Sequence, residues 1–393
     1  RAALVQQLFA SIDAEPIAPS KGLDISVHSF RSQPDGNTVK IQLIKPEGQE
    51  DLPCVYYIHG GGMQDFSCFD AMYTTWGRML AHQGMAIAMV DFRNCLRASS
   101  APEIEPFPAG LNDCVSGVKW VSENAEKLGL DKDRLIVAGE SGGGNLTLAT
   151  GLKLNRDGDI GLIRGLYALC PYIAGKWPYE RLPSTSENNG ILLHLEGLGG
   201  AIAYGIDAFE AKNPLAWPLF ASEEDVKGLP PVMISVNECD PLRDEGIEFY
   251  RLLLRAGQPA QCRNVLGTSP ATSASSSTIP PRDTTTTNAP SFSKLNRRRS
   301  TIPLVAAVNG VVTTSQSTIP NISSNRSTGH TSRTPGGGPP GSHACPGRWE
   351  EAVVGPGQGS QGACHLRRPP RPERSRWQSG GRISGEVARL FQE

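Results

Sequence analysis

The chain of 393 residues has no CxxC pair and no histidine at zinc-binding spacing from its cysteines. Its nine cysteines, at 54, 68, 95, 114, 170, 239, 262, 345 and 364, are scattered. They read as small apolar residues for a core, not as a disulfide framework or a metal site. There is no apolar run long enough to span a bilayer and no signal peptide. Arg1 stands first without a Met, which leaves room for a leader ahead of this sequence, and cytoplasmic is the default expectation. No internal repeat is visible. The second part of the chain is poor in acidic residues and in lysine. Residues 269–393 hold 6 Asp+Glu, with Asp283 the only Asp, and 14 of their 15 basic residues are Arg.

That poverty divides the chain. Residues 1–268 carry 23 Lys+Arg against 33 Asp+Glu, a net of −10, whereas 269–393 carry a net of +9. Ser, Thr, Pro and Gly dominate from Ser269 to about Gly341, too little apolar surface to offset the entropy of ordering. The expected organisation is one folded domain over 1–268, a low-complexity, disordered segment over 269–380, and a terminal helix over 381–393. In that last stretch Ile383, Val387, Leu390 and Phe391 fall at i, i+4, i+7 and i+8. The Arg-rich run reads as a solvated segment, so no nucleic-acid partner is expected. The N-x-S sequons at Asn321 and Asn325 are read as chance in a Ser-rich segment.

In the first part, segments 23–32 and 37–46 alternate apolar and polar residues around PDGN, which predicts an antiparallel pair. The run LPCVYYIHGGG is apolar almost throughout and ends in glycines, as a strand buried on both faces does. Helical patterns at 69–83, 109–128, from Gly142 and at 242–256 then alternate with strands at 85–92, 134–141, 163–172, 230–241 and 260–267. That order predicts an α/β fold, a mainly parallel central sheet with helices on both faces. Residues 173–212, irregular apart from a helical stretch at 194–207, read as an insertion.

Three motifs carry chemistry. VAGESGGGN places Ser141 in G-x-S-x-G between a strand and a helix, where a tight turn lifts a nucleophilic hydroxyl clear of the sheet. IHGGGM supplies glycines whose backbone N–H groups can approach a developing oxyanion. Gly61, Gly62 and Gly142 are the expected donors. His59 in this loop reads as a structural contact, because a base ahead of the nucleophile does not fit the chain order. Asp240 follows the strand VMISVNEC, at the sheet edge where catalytic groups gather. From local sequence alone it serves equally as the acid that orients a histidine or as a cap for the next helix.

In this order HGGG, G-x-S-x-G and DPLRDEG resemble the hormone-sensitive-lipase family of α/β-hydrolases, its bacterial esterases above all; VDFRN and NPLAWP match as well. The resemblance spans nearly all of 20–267. It implies the α/β-hydrolase fold and hydrolysis of a small-molecule carboxylic ester or lactone without a cofactor. It also implies Ser141 as nucleophile, Asp240 as triad acid, the Gly61/Gly62/Gly142 oxyanion hole, and a lid from the N-terminus and part of 173–212. Asp244 and Glu245 read as structural, helix-N-terminal charges, and Glu140 as a buried contact instead of a second acid. The family's histidine would follow the last strand, where this chain has Ser269-Pro270. Only His330, His343 and His365 come after Asp240. His365 precedes the apolar terminal pattern by the family's spacing, and a fourfold longer connection costs only about 1.2 kcal/mol in closure entropy. Two readings stay open. Either His365 is the base, or the histidine is lost with an out-of-frame or unspliced tail and the chain is an impaired homologue that binds a small molecule, as the family's plant hormone receptor does. The sequence sets no oligomeric state.

Overall fold

A computed structural model describes residues 15–16, 18–191 and 193–268. The chain divides into two units, Arg1–Ser323 and Ser324–Glu393, and every described residue lies in the first. The expected segments 269–380 and 381–393, and the lid's N-terminal part at 1–14, lie outside the described residues.

Eight strands form one sheet in the order β1-β2-β4-β3-β5-β6-β7-β8. The strands are β1 (Leu23–Arg31), β2 (Thr38–Pro46), β3 (Leu52–Ile58), β4 (Ala86–Asp91), β5 (Leu130–Glu140), β6 (Leu166–Leu169), β7 (Val232–Asn237) and β8 (Ala260–Val265). β1 and β2 form the predicted hairpin, in register Arg31↔Thr38, and Gly36 turns the chain at φ 72°. β2 also runs antiparallel to β4, and every pairing from β4 to β8 is parallel.

Period-two alternation sends each buried strand into two cores. Cys54, Tyr56 and Ile58 of β3 face one, with Ala86, Ala88 and Val90 of β4; Val55, Tyr57, Ile87 and Met89 face the other. Helix α1 (Ala71–Ala81) covers the second core with Met72, Tyr73, Trp76 and Leu80. Helices α2 (Ala109–Glu123) and α4 (Gly142–Asp157) cover the first with Leu111, Val118, Leu146 and Leu152. Each such side chain contributes about 1.5–3 kcal/mol on burial. Contact here is close: a Cβ on Gly117 of α2 would lie 2.0 Å from Tyr56 Oη.

The observed bounds differ from the expected ones for local reasons. The pattern over 109–128 is broken at Asn124, whose amide donates to Trp120 O at 2.8 Å and ends α2; one further turn, α3 (Ala125–Leu128), stops at left-handed Gly129. β5 starts four residues early because Asp131 and Arg134, polar enough to read as loop, pair with each other at the strand's entrance. β6 is only four residues long, held between the turn at Ile160–Leu162 and Pro171. The insertion carries α5 (Ser184–Glu187) and α6 (Gly199–Glu210), the latter kinked at Gly205, so the expected stretch at 194–207 starts later and runs on. After α7 (Glu223–Val226), the strongly amphipathic α8 (Arg243–Arg255) packs Phe249, Leu252 and Leu253 under the sheet's last strands. No helix among the described residues is long and apolar enough to cross a membrane. Cys54, Cys68, Cys114 and Cys170 are buried as expected, Cys95, Cys239 and Cys262 are half-buried, and all seven are free thiols; Cys345 and Cys364 lie outside the described residues.

Candidate active site

Ser141 sits at the turn from β5 into α4 with φ 52° and ψ −115°, a conformation that L-residues adopt only under constraint. The constraint is visible. Ser141 N–H donates to Leu169 O at 2.9 Å, and Ser141 O accepts from Asn145 N at 3.0 Å and Tyr172 N at 3.0 Å. The flanking glycines are required by space: a Cβ on Gly139 would lie 2.4 Å from Gly143 O, and one on Gly143 would lie 2.1 Å from Ile58 O. Asn145, one turn into α4, donates to Tyr172 O at 2.9 Å and Ala216 O at 3.1 Å, so the motif's terminal Asn ties together the loops after β6 and before β7.

The HGGG loop leaves the end of β3, the neighbour of β5. Gly61 and Gly62 have φ 95° and 65°, which only glycine adopts freely. A Cβ on Gly142 would lie 2.5 Å from Met63 N and 2.7 Å from Gly62 N, so the first residue of α4 rests directly on this loop. As a helix's first residue, Gly142 has no intrahelical acceptor for its N–H. Among the described residues no acceptor meets the N–H of Gly61 or Gly62 either.

Two side chains clamp the loop from behind. His59 is fully buried, stacks on Phe92 at 4.3 Å, and its Nδ1 lies 2.9 Å from Gly60 O; as donor to that carbonyl it is the structural contact expected of it. Burial pushes its imidazole below the usual range, which favours the neutral ring. Gly60 N–H donates to Tyr73 Oη at 3.0 Å, and Tyr73 Oη donates to Glu140 Oε1 at 3.2 Å. Glu140, next to Ser141, is the buried contact read from its position, and burial pushes its carboxyl up to about 7 against the pull of the Tyr73 hydroxyl.

Asp240 lies past the end of β7, two strands from β5, and is completely buried. Its Oδ1 accepts from Leu242 N at 2.9 Å and its Oδ2 lies 3.5 Å from Asn237 Nδ2. Burial pushes its carboxyl up to about 6. Helix α8 starts at Arg243, and Asp240 caps the turn at Pro241–Leu242 that leads into it, through Oδ1 to the Leu242 N–H and its own carbonyl to the Arg243 N–H at 3.1 Å, so the capping contact is present. Asn188 from the insertion braces this loop through Glu238 O (2.9 Å) and Asp240 O (3.1 Å). From the other side, Cys239 N–H donates to Thr268 O at 2.8 Å, and Thr268 Oγ1 meets Asn237 Oδ1 at 3.0 Å. The described chain therefore ends one residue from Asp240. His330, His343 and the expected base His365 lie outside the described residues.

Asp244 and Glu245 both stand in the first turn of α8, as expected, and each has a specific partner. Asp244 accepts from Ser184 N at 2.7 Å. Glu245 points inward, fully buried, and accepts from Ile173 N (2.7 Å), Ala174 N (2.7 Å) and Trp177 Nε1 (2.6 Å). Burial pushes its carboxyl up to about 8, opposed by those three donors. Trp177 stacks on Tyr172 at 4.4 Å, and Tyr172 Cε1 would lie 3.9 Å from a Cβ on Gly62. Tyr73, Tyr172 and this Glu245 contact are parts of the site's frame that the sequence reading missed; the Tyr172 position beside Cys-Pro after a short strand is the one signal that was available.

Residues 55–269 match the family described as alpha/beta hydrolase fold, more than half of the chain. The chain belongs to that family. Its particular branch follows from the solved structures it resembles. It is 53% identical to the esterase Est22 over 80% of this chain and 86% of that one, with a TM-score of 0.69. It is 35% identical to brefeldin A esterase, described as a bacterial homologue of human hormone-sensitive lipase, over 80% and 82% of the two chains with a TM-score of 0.65. Among curated relatives, esterase LipI of Mycobacterium tuberculosis is 29% identical over 264 residues, 66% of this chain and 78% of that protein. The chain is thus a hydrolase of the hormone-sensitive-lipase type, as the HGGG, G-x-S-x-G and DPLRDEG motifs implied.

Proposed function

We propose that this chain hydrolyses small carboxylic esters, lactones included, through an acyl-enzyme on Ser141. The observation that carries the assignment is the strained Ser141 turn, with Gly142 packed on Gly62 so that unpaired backbone N–H groups lie beside the nucleophile. Ser141 Oγ attacks the ester carbonyl, and the oxygen that becomes negative is received by the N–H groups of Gly61, Gly62 and Gly142 at the positive end of α4. A histidine takes the Ser141 proton and returns it to the leaving alcohol. Asp240 holds that imidazole in its tautomer, and water then releases the acid. His365 is the residue we assign as that histidine, on its spacing to the apolar pattern at 383–391.

The test is hydrolysis of p-nitrophenyl acetate and butyrate by the full chain and by Ser141→Ala. Turnover by the wild type and a loss on the order of 10⁶-fold in kcat for the variant are expected; equal rates in the two proteins would remove Ser141 from the mechanism.

A further inference from the structure

We infer that Tyr73 and Glu140 are positioning residues for the oxyanion loop, acting through the N–H of Gly60. This rests on the reading of Gly61 and Gly62 as oxyanion donors. Gly60, the residue ahead of Gly61, is held at both its N–H and its C=O, which belong to the two successive peptide groups leading into Gly61. Gly60 N–H donates to Tyr73 Oη, Tyr73 Oη–H donates to Glu140 Oε1, and Gly60 O meets His59 Nδ1. All three side chains are buried. The phenol is the only link in this relay that both accepts and donates, so its orientation is set by the carboxylate behind it. Glu140 is also the residue that precedes Ser141 in the chain. One side chain therefore references the oxyanion loop to the nucleophile's own backbone, across two different strands, and a misplacement of an ångström between those two elements is enough to cost a large factor in rate.

Space confirms that the relay is tight. A Cβ on Gly60 would lie 2.9 Å from Tyr73 Oη and 3.1 Å from Glu140 Oε1, so the first glycine of HGGG is needed for this contact and not for an unusual backbone angle. Tyr73 is the titratable group that acts on Glu140, and Glu140 in turn acts on the phenols of Tyr73 and Tyr57, both pushed well above their usual range by burial first and then by Glu140. No cation among the described residues neutralises it. Glu140 accordingly changes charge near pH 7, and the acceptor strength offered to Tyr73 changes with it.

The experiment uses the full chain and the variants Tyr73→Phe, Glu140→Ala, Glu140→Gln and Ser141→Ala. For Tyr73→Phe and Glu140→Ala, kcat per folded molecule falls about tenfold with KM unchanged, less than the loss of an oxyanion donor outright. Glu140→Gln, whose amide oxygen still accepts from Tyr73, keeps kcat within about threefold, and its kcat profile loses the inflection near pH 7 that comes from Glu140. A second readout needs no turnover: amide hydrogen exchange at Gly60 accelerates about tenfold in Tyr73→Phe while the amides of β5 keep their protection. Unchanged kcat and unchanged Gly60 exchange in Tyr73→Phe overturn the inference. Undiminished activity in Ser141→Ala instead overturns the reading of the site, and the exchange measurement then still decides whether Tyr73 holds the loop.

Discussion

Glu140 has an ordinary value of 4.5 and is pushed up to about 7 by burial. Between those two values the folded chain holds a proton that the unfolded chain has released, so stability falls as pH rises through the window and the cost is complete above about 7. The difference converts to about 3 kcal/mol at most. Glu140→Gln should therefore be more stable than the wild type by about 2 kcal/mol at pH 8, with the gap closing near pH 4, in urea unfolding followed at both pH values. A variant less stable than the wild type at pH 8 would show that the carboxylate is better solvated than its burial implies. Residues of this kind are the least legible in a sequence. GxSxG and HGGG announce their backbone geometry because glycine is needed wherever a Cβ would meet the backbone of another segment, as at Gly139 and Gly143. Tyr73 carries no such mark, since an aromatic on the buried face of a helix reads as core whether or not its hydroxyl has a partner.

Between elements, the contact with most consequence is the Glu245 carboxylate in α8, which takes three donors from the segment that follows β6. That segment carries Tyr172, stacked on Trp177, toward the oxyanion loop. Glu245→Ala leaves three buried donors without an acceptor and should cost about 3 kcal/mol, read as a lower urea midpoint at unchanged m. Glu245→Gln, with one acceptor oxygen left, should cost less. At this scale the sequence was most informative where a strand is buried on both faces: β3, β4 and β7 are continuous apolar runs and appear within two residues of the expected bounds at their entry. It was least informative where polar side chains serve a strand or helix end, as at the entrance of β5 and the break at Asn124. There the deciding contacts are between charged side chains three residues apart or with a carbonyl four residues back, and neither leaves an apolar periodic trace.

Taken whole, the chain joins a net −10 part that contains the sheet to a net +9 part that contains the histidines after Asp240. The proposed base must come from that second part. His365→Ala in the full chain should lower kcat on p-nitrophenyl butyrate on the order of 10⁴-fold or more, whereas His330→Ala and His343→Ala, which have no role in the proposed mechanism, should leave it within a factor of about two of the wild type. Activity that survives His365→Ala assigns the base elsewhere. The fold class was legible without a structure, because strands alternating with helical patterns imply it, and the family was legible through the resemblance of the HGGG, G-x-S-x-G and DPLRDEG motifs; the order of the strands in the sheet was not, since pairing partners leave no local trace. The partner of Asp240 was not, because 125 residues separate the two and only spacing speaks for the pairing.

The brace around Asp240 has one more consequence. Asn188 and Thr268 hold the loop on either side, and Asn237 and Leu242 hold the carboxylate, so among the described residues Asp240 is kept in place without a histidine. On the proposed mechanism such a protein is suited to chemical rescue, with imidazole from solution standing in for the missing side chain of His365→Ala. Recovery that saturates with imidazole in this variant, and is absent when Asp240 is also replaced, would mark Asp240 as the acid that holds it.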